Sequence, residues 1–187
     1  MSIVAPAGFR AGGVACGIKP DAPDLALVAT DDGQPVSAAA VFTTNLACAP
    51  PVEISREHLA DGRAAAVVLS SGNANAATGE PGRDDARRMC ELAATALGCE
   101  PTDVLVCSTG LIGYPLPMDA LERGIPDVAG TLGNDRDAAQ RAADALLTTD
   151  TVRKEAVASA ELADGSVLTV GGMAKGAAML APAMATM

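Results

Sequence analysis

The sequence predicts a mixed α/β (α+β) layered domain. Three observations carry that expectation: short apolar runs bounded by Gly, Pro, Asn or Asp, stretches of helical apolar periodicity between them, and a core vocabulary of small side chains. Apolar types make up 49% of the chain but aromatics only 2%, so the core must close through Val, Leu, Ile, Ala and Met at short range. Helices laid on sheets through small-residue contacts suit that composition.

The apolar runs predict strands at Asp24 to Thr30, Ala38 to Thr43, Ala64 to Ser70 and Asp103 to Ser108. Ser166 to Val170 is a further strand, and the Asp164-Gly165 turn before it closes a hairpin with Glu155 to Leu162. Between Asp84 and Leu97 one face collects Ala86, Met89, Cys90, Ala93, Ala94 and Leu97, which predicts a helix stopped by Gly98. A second helix is expected over Asp135 to Leu147, with Asn134 or Asp135 as cap, and a shorter one over Pro117 to Arg123. Pro-containing stretches such as Ala49 to Pro51 read as turns. With no repeat and no linker, residues 1–187 are expected to form a single domain.

A formal charge of −10 without any cluster of Lys or Arg argues against a nucleic-acid surface. No run approaches the roughly 20 apolar residues that span a bilayer, and the N-terminus has no signal-like pattern, so no membrane partner and a cytoplasmic location are expected. Five cysteines at Cys16, Cys48, Cys90, Cys99 and Cys107 are odd in number and lack close pairs; they read as small buried hydrophobes, and no metal site is expected.

Candidate chemistry concentrates in three places. Two strands run into loops rich in Gly and small polar residues, Ser71 to Gly79 and Thr109 to Gly113, where backbone N–H groups and hydroxyls can face a ligand or simply close a tight turn. The segment Gly171 to Met187 is nearly all Gly, Ala and Met around one charge, Lys175, which either snorkels to water or meets a partner. It matches neither GxxxxGK[ST] nor GxGxxG, so a nucleotide fold is disfavoured. The only histidine, His58, sits in a polar stretch that reads as surface, and Cys107 has no basic partner to activate it and reads as core. One known solution for a site without histidine is a threonine whose own α-amine, freed by backbone cleavage, is the base; that amine titrates near roughly 7.7 to 8.0.

Six blocks in order, APAGFRAGGVACGIK, AAVFTTNLACAPPV, VVLSSGNANAATG, VCSTGLIG, LLTTDTVRK and KGAAMLAPAMATM, resemble the signature blocks of the ornithine acetyltransferases, the bifunctional glutamate N-acetyltransferases of arginine biosynthesis. The resemblance covers essentially the whole chain. It implies a layered sandwich of the self-processing N-terminal-nucleophile type, with sheets between helical layers. It further implies a longer precursor that cuts itself at the bond here joining Ala185 to Thr186, giving α and β chains that stay together.

By the same resemblance, Thr186 is the nucleophile that takes the acetyl group from N-acetylornithine and passes it to glutamate, Thr109 and Gly110 stabilise the oxyanion, and Thr148 and Lys175 contact substrate. No cofactor is implied, acetyl-CoA being at most a co-substrate. The implied partner is the β chain, in a heterotetramer of two α and two β chains. The family blocks read KGxGM and PNMATM where this chain has Ala178 and Ala183, neither in the scissile pair. These residues alone are expected to be inactive, because an uncut Thr186 has an amide for a base. Two other readings share the same residues: a self-processed amidohydrolase or aminopeptidase of similar architecture, and a non-catalytic assembly subunit.

Overall fold

The computed structural model describes residues 2–177. Its main sheet has four strands in the order β1-β2-β5-β6: β1 (Phe9–Val14), β2 (Leu25–Thr30), β5 (Ala66–Asn73) and β6 (Val104–Leu111). β2 runs antiparallel to both β1 and β5, and β5 and β6 pair in parallel. A parallel pair needs a crossover, which α2 (Gly79–Leu97) supplies.

Alternation along the strands decides what each face meets. Leu25, Leu27, Val68, Val104 and Val106 join Ala86, Met89, Cys90, Ala93 and Ala94 of α2, Leu121, Ile125 and Val128 of α3 (Met118–Gly130), and Ile54 of α1 (Pro50–His58) in the larger core. Each fully buried Leu, Ile or Met there contributes about 1.5–3 kcal/mol from apolar burial. On the other face Ala11 and Ala26 meet Ala139, Ala142 and Ala145 of α4 (Arg136–Leu146). Contact is close because both sides are small: a Cβ on Gly13 of β1 would lie 2.1 Å from the Arg141 carbonyl oxygen. Helices therefore flank the sheet on both sides, although α4 covers chiefly the β1–β2 half.

β6 is an edge strand, and α1 shields it. Ser55 Oγ donates to Val106 O at 2.8 Å and accepts the Val106 N–H at 2.9 Å, while His58 Nδ1 donates to Val104 O at 2.8 Å. These bonds satisfy ladder groups that would otherwise invite another strand. The small pair β3 (Val36–Ser37) and β4 (Arg63–Ala64) lies to one side. The hairpin β7 (Lys154–Glu161) and β8 (Val167–Ala174) projects from the body, with β7 exposed along its whole length. Asp164 accepts the Ser166 N–H at 2.9 Å and Gly165 sits at φ +81°, the left-handed turn that closes the hairpin. No helix among the described residues is long and apolar enough to cross a membrane.

Several expectations change here. Ala38 to Thr43 forms no strand: β3 ends at Ser37, its partner β4 is only two residues long, and Val41 is 82% exposed. Ala49 to Pro51 is a helix start, with Ala49 as N-cap and Pro50 in the first turn, where a missing N–H costs nothing. The helix expected over Pro117 to Arg123 continues to Gly130 through Pro126, since burying Leu121, Ile125 and Val128 offsets the roughly 3 kcal/mol of an internal proline. α2 begins five residues before Asp84, at Gly79, and β1, whose glycines mask its period, lacks an apolar run. The strand expected over Ala64 to Ser70 is divided at Ala65, Ala64 pairing with β3 and Ala66 opening β5, while the remaining strands, the hairpin, the Asp135 cap and the left-handed Gly98 stop form as expected.

Candidate functional site

Three distant segments converge where β6 ends. Thr109 lies near the C-terminal end of β6, Thr148 in the turn after α4, and Lys175 directly after β8. Lys175 Nζ donates to Thr109 Oγ1 at 3.0 Å and to Thr148 Oγ1 at 2.8 Å, uniting three residues selected from the sequence. An ammonium has only protons to give. Both hydroxyl oxygens therefore accept, which frees each threonine O–H to donate elsewhere and makes it a better donor. Among the described residues two of the three ammonium protons are used, which leaves one that can meet a ligand. Among the described residues no carboxylate forms an ion pair with Lys175.

Gly110 follows Thr109 at φ +136°, in register with Gly72 of β5. A Cβ on Gly110 would lie 2.3 Å from the Gly72 carbonyl carbon, so a glycine is needed at 110 for the backbones to meet at this bulged strand end. The loop after β5 braces the arrangement. Asn73 Nδ2 donates to Pro115 O at 2.8 Å, the Ala74 N–H to Leu111 O at 2.8 Å, and the Gly113 N–H to Ala76 O at 2.9 Å. Buried Asn75 donates from Nδ2 to Gly82 O at 2.9 Å, tying the loop to α2. Of the two glycine-rich loops, the first thus supports the second.

The half of the sheet that α4 leaves open forms a groove of about 340 Å³ running up to Thr109 and Lys175. Val67, Leu69, Leu105 and Cys107 make its floor, Phe42 and Met173 its rim. Arg56 holds that rim, stacking 5.3 Å from the Phe42 ring centre and donating to Thr43 O at 3.0 Å. Cys107, expected in the core, instead faces this groove, because it alternates with buried Val106 and Ser108 along β6. Surrounding protein atoms still push its thiol up to about 11, so it is poorly suited to be a nucleophile. His58 is spent on the edge of β6, as described above. Of the other cysteines only Cys90 is fully buried.

Asp150 was not singled out in the sequence. Its buried Oδ1 accepts the Gly176 N–H at 2.7 Å and Lys154 Nζ at 2.5 Å, tethering the residue after Lys175 to the Thr148 turn. Burial opposes its charge, but hydrogen bonds from Lys154 and from the Gly176 and Thr148 amides prevail and hold its carboxyl down to about 2. The Asp-Thr pattern beside Thr148 carried no local signal of this, since the tether spans 26 positions. Ala185, Thr186, Ala178 and Ala183 lie outside the described residues.

Comparison with known proteins agrees with this architecture. Residues 10–187 match the ArgJ family. The chain is 51% identical over its whole length to the arginine biosynthesis bifunctional protein ArgJ of Thermobifida fusca, and 50% identical to that of Streptomyces coelicolor. In both cases it spans 47% of the relative's length, about half. Among solved structures, the arginine biosynthesis bifunctional protein argJ of Bacillus halodurans superposes with a TM-score of 0.92 at 36% identity, covering 97% of this chain and 93% of that one. The ornithine acetyltransferase of Mycobacterium tuberculosis, crystallised with ornithine, gives 0.88 at 46% identity, covering 97% and 94%. The layered α/β fold expected from the sequence is the fold of these structures, and the chain belongs to the ArgJ family.

Proposed function

We propose that this chain is the α half of a self-cleaving acetyltransferase that carries the acetyl group of N-acetylornithine to glutamate in arginine biosynthesis. The observation that carries the reading is the meeting of Lys175 with Thr109 and Thr148, three residues of distant blocks gathered on one ammonium. The names of the relatives, arginine biosynthesis bifunctional protein and ornithine acetyltransferase, support it.

In this reading the precursor opens between Ala185 and Thr186, and the new α-amine of Thr186 takes the proton from its own hydroxyl. The Thr186 oxygen attacks the acetyl carbonyl. Negative charge develops on the acetyl carbonyl oxygen, which accepts from the Thr109 hydroxyl, polarised by Lys175, and from the Gly110 N–H, a pairing worth a few kcal/mol in such sites. The C–N bond then breaks, the amine of ornithine leaves with the proton from the Thr186 amine, and acetyl-Thr186 remains. Attack by the amine of glutamate reverses the sequence and regenerates the threonine. The remaining proton of Lys175 and the hydroxyl of Thr148 hold the substrate, the ammonium on a carboxylate.

The same reading makes residues 1–187 one domain that stays with the β chain in a heterotetramer of two α and two β chains, in the cytoplasm. It uses no resident cofactor; acetyl-CoA enters, if at all, as a second acetyl donor. Neither half acts alone. Thr186→Ala in the full-length precursor is expected to abolish both self-cleavage and acetyl transfer, read by gel and by acetylglutamate formation. Survival of either activity sinks the proposal, and release of free acetate in place of acetylglutamate makes the enzyme a hydrolase.

A further inference from the structure

A second lysine reaches the Thr148 turn from the far side of the sheet. Lys19 Nζ donates to Leu147 O at 2.7 Å, and Leu147 is both the C-cap of α4 and the residue before Thr148. A cation there also meets the negative end of the α4 dipole. Lys19 is itself held in place by a buried anion. Asp24 accepts the N–H groups of Cys16 at 2.7 Å, Gly17 at 3.1 Å, Ile18 at 2.7 Å and Lys19 at 2.9 Å, so four consecutive amides wrap one carboxylate. The wrapped loop lies against β5 where Gly72 pairs with Gly110, since a Cβ on Gly72 would come within 2.8 Å of Lys19 Cγ.

The turn is also fixed on either side: Ser71 Oγ donates to Ala145 O at 2.5 Å, and Asp150 accepts from Gly176. Among the described residues, Lys19 is the side chain that holds the carbonyl adjoining Thr148. Burial lowers the proton affinity of Lys19, the charge of Asp24 raises it, and Lys175 lowers it in a smaller measure. The buried carboxylate wrapped by the loop therefore also offsets part of the cost of keeping this ammonium beside a second one.

We infer that Lys19 is a positioning residue of the site: by holding the Leu147 carbonyl it keeps the Thr148 hydroxyl on Lys175, and so sets affinity for the acetyl donor. The inference rests on the acetyl-transfer reading above. Its test is kinetic, in the full-length precursor after cleavage has been confirmed, with Lys19→Met, Lys19→Arg, Thr148→Val and the Met/Val double variant.

Lys19→Met is expected to raise KM for N-acetylornithine about tenfold with kcat changed less than about threefold, and Lys19→Arg to restore most of the loss. Because Lys19 acts through Thr148, the double variant should be no more than about twofold worse than Thr148→Val alone. Should Lys19→Met fail to fold, Lys19→Ala, which also removes the donor to the Leu147 carbonyl, carries the same comparison. A KM within about twofold of wild type, or effects of Lys19 and Thr148 that multiply, overturns the inference. A wild-type precursor that cleaves but transfers no acetyl group from N-acetylornithine overturns the reading beneath it instead.

Discussion

Lys175→Met in the full-length precursor probes the hub of the site, because it keeps the length of the side chain and removes its charge. The structure sets the size of the effect. Lys175 forms two hydrogen bonds to half-buried hydroxyls and has no ion-pair partner among the described residues, so its removal strands no buried charge. Thr109 and Thr148 can take water in its place, and the folding cost should stay below about 1 kcal/mol. For the substrate the loss is larger. An ionic hydrogen bond to a carboxylate contributes about 1.5–3 kcal/mol, and the Thr109 hydroxyl loses the cation that polarises it. A total near 3 kcal/mol corresponds to about a hundredfold fall in kcat/KM. Most of it should appear in KM, since the carboxylate is held in ground and transition states alike. Initial rates of acetylglutamate formation from N-acetylornithine and glutamate, on protein shown by mass to be fully cleaved, measure it. A cleaved Lys175→Met enzyme keeping kcat/KM within about threefold of wild type would refute the reasoning.

Two further predictions follow from the geometry. Thr109→Val removes one oxyanion donor and leaves the substrate contacts, so kcat should fall by about a hundredfold or more with KM little changed, in contrast to Lys175→Met; a pure KM effect would exclude an oxyanion role. Asp24 and Asp150 are both held below the ordinary carboxylate value of 3.8, Asp24 because hydrogen bonds from the Cys16, Lys19 and Ile18 amides and the Cys16 thiol outweigh its burial and Asp150, at about 2, for the reasons given above. Depressed carboxylates stabilise the fold above their unfolded value and lose that contribution as pH falls toward the folded one. The melting temperature should therefore drop between about pH 4 and pH 2, and Asp150→Asn should shallow that slope in thermal melts; an unchanged slope counts against the tether.

Much of the fold was legible because it is written within short windows. The face of Ala86, Met89, Cys90, Ala93 and Ala94, the Asp135 cap and the Asp164-Gly165 turn each depend on residues within a turn or two of one another, and each formed as read. Where local signals misled, a tertiary contact had changed the balance. Ala38 to Thr43 has strand composition but pairs with no strand among the described residues, and Pro126 is tolerated because the face around it is buried. Cys107 looks like a core residue until one knows which face of β6 the helices cover.

The candidate site divides in the same way. Its residue types, the glycines at the strand end and the lone cation in an apolar tail could be picked out by inspection, and the family blocks ordered them. That Lys175 lands on Thr109 and Thr148, 66 and 27 positions away, was decided by the sheet. Parallel pairing of β5 with β6, the close seat of α4 on glycine and alanine, and the register of the β7–β8 hairpin bring three chain segments to one point. The Lys19 clamp and the Asp150 tether emerged only there, because a hydrogen bond between distant segments leaves no periodicity in the sequence that makes it.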